Sequence, residues 1–125
     1  MTHFRHISSL NVLPIWEQVT ARVVEGREIT MALVELAPHA VVAEHQHPNE
    51  QMGMVLSGAL RFTVDGESKD LRVGDTYSIP SGVLHDVVAG PDGAVAMDIF
   101  APVRSDWARF RAEPPKPCCW PSSAA

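Results

Sequence analysis

Apolar residues along this chain fall in short runs, each bounded by glycine, proline or acidic residues, as in β-strands separated by turns. The runs predict strands at 16–24, 29–36, 41–47, 51–56, 59–64, 69–73, 76–79, 84–89 and 94–100. Asp65-Gly66 indicates a tight hairpin, and Gly90-Pro91-Asp92-Gly93 indicates a loop. Short strands at such even spacing predict an all-β sandwich or barrel.

The C-terminal stretch departs from this pattern. Residues 107–111 predict a short helix, whereas residues 113–125 are too rich in proline for a helix or a central strand. The chain of 125 residues is long enough for one apolar core. We therefore expect one domain over residues 1–112, followed by an extended, flexible tail.

Composition and charge exclude several kinds of partner. The net charge of −5 argues against nucleic acid, and no apolar stretch is long enough to span a membrane. The N-terminus lacks the apolar core of a signal peptide. Cys118 and Cys119 are adjacent within the tail, so they cannot crosslink the fold, as is usual in a reducing compartment. These features predict a cytoplasmic protein.

The stretch from His45 to Gln51 carries the candidate chemistry. His45 and His47 are two residues apart on a predicted strand, so both rings point to one face. Glu50 or Gln51 can add an oxygen, and His85 follows later in the chain. Imidazoles with one side-chain oxygen suit a divalent transition metal such as nickel, iron, manganese, zinc or copper.

A second candidate cluster lies at the end of the last strand. Asp98 stands among apolar residues, where a charge is costly unless it is paired or used. Alternation places Asp98 and Phe100 on one face, and Arg104 follows four residues later. Asp98 can serve as a general acid or base, and Arg104 can grip a substrate carboxylate. The alternative is an Asp98–Arg104 salt bridge that only fixes the C-terminal segment.

Two blocks of sequence resemble the paired motifs of the cupin superfamily over residues 38–100. His45, His47, Gln51 and Gly58 occupy positions of the first motif, and Gly74, Pro80, Gly82 and His85 occupy positions of the second. The departures are His39 for glycine, Gln51 for glutamate and Ala89 for asparagine. The resemblance implies a jelly-roll barrel, the double-stranded β-helix, with one metal ion held by His45, His47, Gln51 and His85.

A narrower resemblance is to the small single-domain cupins of the pectin-degradation type, KdgF. It rests on His-Gln-His-Pro-x-Glu-Gln, Gly-Asp-x-Tyr-x-Ile-Pro and Asp-x-Phe-x-Pro-x-Arg. Those proteins convert 4,5-unsaturated uronates into the linear keto form. The resemblance implies a small carboxylate-bearing substrate, with Asp98 handling the proton and Phe100 and Arg104 positioning the sugar acid.

Other functions and assemblies stay open at this point. The same pocket would suit a dioxygenase, a biosynthetic cyclase or a sugar-binding module without turnover. A neutral amide at Gln51 leaves the full charge on the ion, which favours polarisation of a substrate oxygen over oxygen activation. Met52, Met54 and Leu56 share one strand face, which predicts either packing between sheets or the interface of a homodimer.

Overall fold

The computed structural model describes residues 2–121, so the end of the predicted tail, 122–125, lies outside the described residues. Within this range the chain forms eight strands and two short 3-10 helices. The strands are β1 (Val12–Trp16), β2 (Val19–Glu25), β3 (Thr30–Leu36), β4 (Val41–His45), β5 (Glu50–Val64), β6 (Glu67–Arg72), β7 (Thr76–Ile79) and β8 (His85–Ala101). The 3-10 helices are Ile7–Ser9 and Ser105–Arg109.

The strands pair antiparallel in the order β1-β2-β3-β8-β5-β6, with β4 added to β8 and β7 added to β5. The two longest strands, β5 and β8, pair with each other along most of their length. The first part of β8 also pairs with β4, and its last part pairs with β3. Each long strand therefore contributes to both layers of the fold, which confirms the predicted all-β jelly roll.

Two predicted breaks are bends within continuous strands. Residues 51–56 and 59–64 join as β5, and residues 84–89 and 94–100 join as β8. At the bends, Gly58 and Gly93 have φ of 71° and 74°, a backbone conformation that glycine adopts without strain. The predicted breaks were wrong because such glycines bend a strand without ending its ladder.

The N-terminal strand β1 was not predicted, because Pro14 interrupts its apolar pattern. The proline is tolerated since β1 lies at the edge of the sheet. Val12 is fully buried and pairs with Glu113, which returns from the C-terminal segment. The predicted helix at 107–111 is a 3-10 helix at Ser105–Arg109 instead.

The beginning of the tail is docked on the sheet through Arg22, which is 1% exposed. Its guanidinium donates to the carbonyls of Lys116 at 2.7 Å and Pro117 at 3.1 Å, and to the carboxylate of Glu35 at 2.7 Å. The flexibility expected of residues 113–125 stays a prediction. Among residues 2–121, no helix has the length and apolar character needed to cross a membrane.

Candidate metal centre and cavity

Three histidines converge where β4 meets β8. His45 ends β4 and lies opposite His85, the first residue of β8, and His47 follows two residues after His45. The ring centroids are 4.3 Å apart for His45 and His85 and 4.9 Å apart for His47 and His85. One nitrogen from each ring lies within 4.8 Å of the others, which is close enough to share one ion.

The backbone fixes which nitrogen of each ring is available. The Nδ1 atoms of His45, His47 and His85 lie 2.7, 3.0 and 2.8 Å from the carbonyl oxygens of Ala43, Asn49 and Val83. A carbonyl only accepts, so each Nδ1 carries the hydrogen and each Nε2 presents a lone pair. His85 Nε2 is buried and without a hydrogen-bond partner in the described part of the chain. The three rings therefore fit a metal ion.

Gln51 adds an oxygen to this cluster. Its side chain is buried, and its Oε1 lies 3.1 Å from Nε2 of His47, whereas Glu50 is exposed. Burial lowers the pKa of His47 and lowers that of His85 to about 4, so both rings stay neutral at physiological pH. Neutral imidazoles with one amide oxygen are the donors that Ni²⁺, Fe²⁺, Zn²⁺ and related ions accept.

The cluster opens into a cavity of about 320 Å³, a size that suits a small molecule. One part of its wall is polar and includes the candidate site residues. The cavity is lined by His45, Gln46, His47, Gln51, His85, Asp98, Arg104, Asp106 and Arg109, and by the apolar and aromatic residues Ile15, Trp16, Val19, Val34, Val42, Phe100, Trp107 and Phe110.

Asp98 lies in this wall and is 6% exposed. Burial raises its pKa to about 6, although hydrogen bonds from Tyr77 and Gln51 oppose the shift. The Tyr77 hydroxyl donates to Asp98 Oδ1, and burial together with this neighbouring charge raises the pKa of Tyr77. A carboxyl with such a pKa can exchange a proton with a bound molecule near neutral pH.

Arg104 lies beside the cavity in a fixed orientation. Its guanidinium stacks 4.7 Å from the ring centroid of Phe100 and 4.4 Å from that of Trp107. Its Nε and Nη2 donate to the carboxylate of Asp106 at 3.0 and 2.9 Å. Within the described residues, the salt bridge weighed for Arg104 is therefore made to Asp106 and not to Asp98.

Two further side chains hold the segment that carries Arg104. Asn49 is 4% exposed, and its amide donates to the carbonyls of Pro102 at 2.6 Å and Val103 at 3.2 Å. Thr30 accepts the backbone N–H of Arg104 at 2.9 Å. Sequence reasoning missed both residues, although the position of Asn49 inside the histidine motif was an available signal.

Two polar residues near the barrel have different positions: Arg61 is exposed and pairs with Asp70 at 3.0 Å, and Tyr77 lies against Asp98. Met52 and Met54 are 52% and 40% exposed, so the interpretation that they pack between sheets was wrong.

Comparison with known proteins identifies relatives of this chain. Residues 32–100 match the sequence profile of the family described as Cupin domain. The pectin degradation protein KdgF of Dickeya dadantii is 31% identical over 81 residues, which are 64% of this chain and 74% of that protein. The dimethylsulfoniopropionate lyase DddW of Ruegeria pomeroyi is 30% identical over 67 residues, which are 54% of this chain and 44% of that protein.

Solved structures agree with these matches. An RmlC-like cupin from Shewanella frigidimarina superposes with a TM-score of 0.79 at 26% identity, covering 86% of this chain and 96% of that one. KdgF from a Halomonas species superposes with a TM-score of 0.78 at 25% identity, covering 85% of this chain and 98% of that one. The similarity extends over nearly the whole of both neighbours.

Proposed function

The chain belongs to the cupin family, and on that premise we propose that it is a metal-dependent isomerase that opens and ketonises a 4,5-unsaturated uronate or a similar acidic sugar. The observation that carries the proposal is the shared cavity, which joins the histidine cluster, the Asp98 carboxyl and the Arg104 guanidinium. The relationship to KdgF of Dickeya dadantii supports the substrate class.

The proposed ligands of one divalent transition metal ion are His45, His47, His85 and the Gln51 amide oxygen. When bound, such an ion supplies Lewis-acid polarisation of a substrate oxygen. The remaining chemistry belongs to side chains of this chain, since the reaction moves one proton from an oxygen to a carbon.

The atoms of the proposed isomerisation balance without a second reactant. The hydroxyl on carbon 1 of the cyclic sugar loses its proton, the bond between carbon 1 and the ring oxygen breaks, and carbon 1 becomes an aldehyde. The bond cleavage releases an enolate over carbons 4 and 5, with the former ring oxygen on carbon 5, and carbon 5 becomes a ketone when carbon 4 gains a proton. Asp98 is the side chain proposed to carry that proton, because it lines the cavity and exchanges protons near neutral pH.

Arg104 and Phe100 are proposed to position the sugar acid. A guanidinium has five N–H donors, and Asp106 engages Nε and Nη2 of Arg104, so Nη1 can donate to a substrate carboxylate. The rings of Phe100 and Trp107 both contact this guanidinium and fix its orientation. A fixed carboxylate would bring the reacting carbons toward Asp98 and reduce the entropy cost of reaction.

Proton NMR of a 4,5-unsaturated uronate incubated in D₂O with metal-loaded protein tests this proposal. We expect the linear keto product, with deuterium at carbon 4. Asp98→Asn should form this product about 10²–10⁴-fold more slowly than the wild type, while the exposed Asp70→Asn serves as the matched control with wild-type rates. Absence of accelerated product formation by the wild type would contradict the proposed reaction.

We also propose that the protein is a homodimer. Val24, Met31, Ile99 and Met52 form one row across β2, β3, β8 and β5, and they are 44%, 38%, 44% and 52% exposed. An apolar row of this kind favours association of like surfaces. Light scattering after size-exclusion chromatography should give the dimer mass for the wild type.

Met52→Glu should shift the mass toward the monomer, because it would bury a charge in the interface. Val73→Glu places the same charge at an exposed apolar residue away from this row and is the matched control. A monomeric wild type at micromolar concentration, or an unchanged mass for Met52→Glu, would contradict the dimer.

A further inference from the structure

Tyr77, Gly53 and Asp98 form one row across three adjacent strands, which we call the Tyr77–Gly53–Asp98 row. Gly53 of β5 pairs with Tyr77 of β7 on one side and with Asp98 of β8 on the other. Strands two places apart in a sheet are separated by roughly 9–10 Å, so side chains on them normally do not touch. Here the Tyr77 hydroxyl donates to Asp98 Oδ1 across the middle strand.

Gly53 makes this contact possible. A Cβ atom at this position would overlap both Asp98 Oδ1 and the ring of Tyr77. The backbone of Gly53 lies outside the left-handed region, so its conformation would accept any residue. Glycine is therefore required at residue 53 for space, and the space is filled by the Tyr77–Asp98 contact.

The contact continues to the candidate metal ligands. The Gln51 amide is close enough to Asp98 to lower the pKa of that carboxyl, and its Oε1 lies on the side of the histidines, 3.1 Å from Nε2 of His47. An amide donates through nitrogen and accepts through oxygen. A carboxylate facing the amide nitrogen thus turns the amide oxygen toward the histidines.

We propose that Tyr77 is a positioning residue, which holds Asp98 so that the Gln51 amide presents its oxygen to the metal, and that Gly53 provides the room for this hydrogen bond. The inference rests on the metal site in the proposed function. Tyr77 lies behind Asp98, outside the cavity lining found within residues 2–121, and its ring packs 4.5 Å from that of Phe62. Tyr77 therefore acts through Asp98 and Gln51 and has no direct contact with substrate.

Tyr77→Phe tests the proposal because it keeps the ring and its packing and removes only the hydroxyl. Isothermal titration calorimetry of the metal-free protein with Ni²⁺ should show affinity about 10–100-fold weaker than wild type, the usual cost of losing a group that orients a ligand. The visible spectrum of the Co²⁺-loaded variant should also differ from wild type, since the oxygen donor is less fixed. A structural role alone would leave both readouts unchanged.

A double-mutant cycle shows the route of the effect. In a Gln51→Ala background the amide is absent, so adding Tyr77→Phe should weaken Ni²⁺ binding no further. Gly53→Ala should weaken binding as Tyr77→Phe does, whereas Gly90→Ala, a strand glycine of ordinary φ outside the site, should bind as wild type.

Wild-type Ni²⁺ affinity and Co²⁺ spectra for folded Tyr77→Phe, or full additivity with Gln51→Ala, would overturn the proposal. These titrations contain no sugar, so their result is separable from the uronate reaction. A chain that behaves as expected here but turns over no uronate contradicts only the proposed reaction. A wild type that binds no Ni²⁺ overturns both the positioning role of Tyr77 and the metal site of the proposed function.

Discussion

Glu35 and Asp98 are acidic residues on neighbouring strands of one sheet, and their surroundings differ in kind. Glu35 of β3 faces outward, where the buried Arg22 guanidinium contacts it at 2.7 Å and the tail covers the pair. Asp98 of β8 faces the cavity, where its partners are the neutral Tyr77 hydroxyl and Gln51 amide. The same functional group is thus paired with a cation at one position and with neutral donors at the other.

The two environments shift the carboxyl pKa in opposite directions. For Glu35, burial alone would raise the pKa, but hydrogen bonds from Arg22 and Cys119, together with the charge of Arg22, outweigh burial and lower the pKa. For Asp98, burial prevails and raises the pKa to about 6. A guanidinium contact holds a carboxylate ionised for a structural role, whereas neutral donors leave a carboxyl able to exchange protons.

Removal of the metal should have the largest effect on turnover. It should change the cavity that contains Asp98 and leave the Arg22–Glu35 pair as it is. We expect chelation to lower turnover on the order of 10³-fold or more, because Lewis-acid polarisation contributes several kcal/mol to the barrier. Activity should return on adding back metal. Unchanged turnover in protein shown to be metal-free by elemental analysis would count against the proposed centre.

Asp98→Asn should have the next largest effect on turnover. Its kcat should fall about 10²–10⁴-fold, because the amide cannot exchange a proton, while its urea midpoint stays near that of wild type. Steady-state kinetics with parallel urea unfolding measures both quantities. A variant that unfolds easily but retains kcat would show that Asp98 has the structural role assigned here to Glu35.

Arg22→Met should give the reverse result. It leaves Glu35 without its cation and should cost about 3–5 kcal/mol of the free energy of unfolding, with kcat per folded molecule preserved. Arg61→Met removes a guanidinium from the exposed Arg61–Asp70 pair and is the matched control, with little change in urea unfolding. Equal stability of the two variants would refute a structural role for the Arg22–Glu35 pair.

The smallest expected effect is a pH dependence of stability from Glu35. Its pKa in the folded state lies below the ordinary value of 4.5, so its contribution is complete above pH 4.5 and is lost as the pH falls through the folded pKa. The stability gap between wild type and Glu35→Gln should therefore be constant from pH 7 to 5 and shrink below about pH 4.5. A gap that grows with acid would contradict the sign of this shift.

Much of the site could be predicted because its signals are local in sequence. The spacing of His45 and His47 and the apolar surroundings of Asp98 follow from strand alternation and the cost of burying charge. The cupin motifs added His85 and Gln51. The fold class followed from the strands and the same motifs.

The contacts that were missed depend on register between distant strands. The Tyr77–Gly53–Asp98 row requires the pairing of three strands, and the pairing of Arg104 with Asp106 requires the turn that follows β8. The sequence predicts strand ends at Gly58 and Gly93, where the structure has bends, because a sequence does not distinguish a bent ladder from a broken one.

The most direct test of the account is the loss of ultraviolet absorbance of a 4,5-unsaturated uronate, followed with metal-loaded wild type, chelated wild type and metal-loaded Asp98→Asn. We expect rapid loss with metal-loaded wild type alone, and loss at least about 10²-fold slower with the other two. No acceleration by the wild type would contradict the uronate reaction. Equal acceleration by all three samples would contradict the roles of the metal and of Asp98.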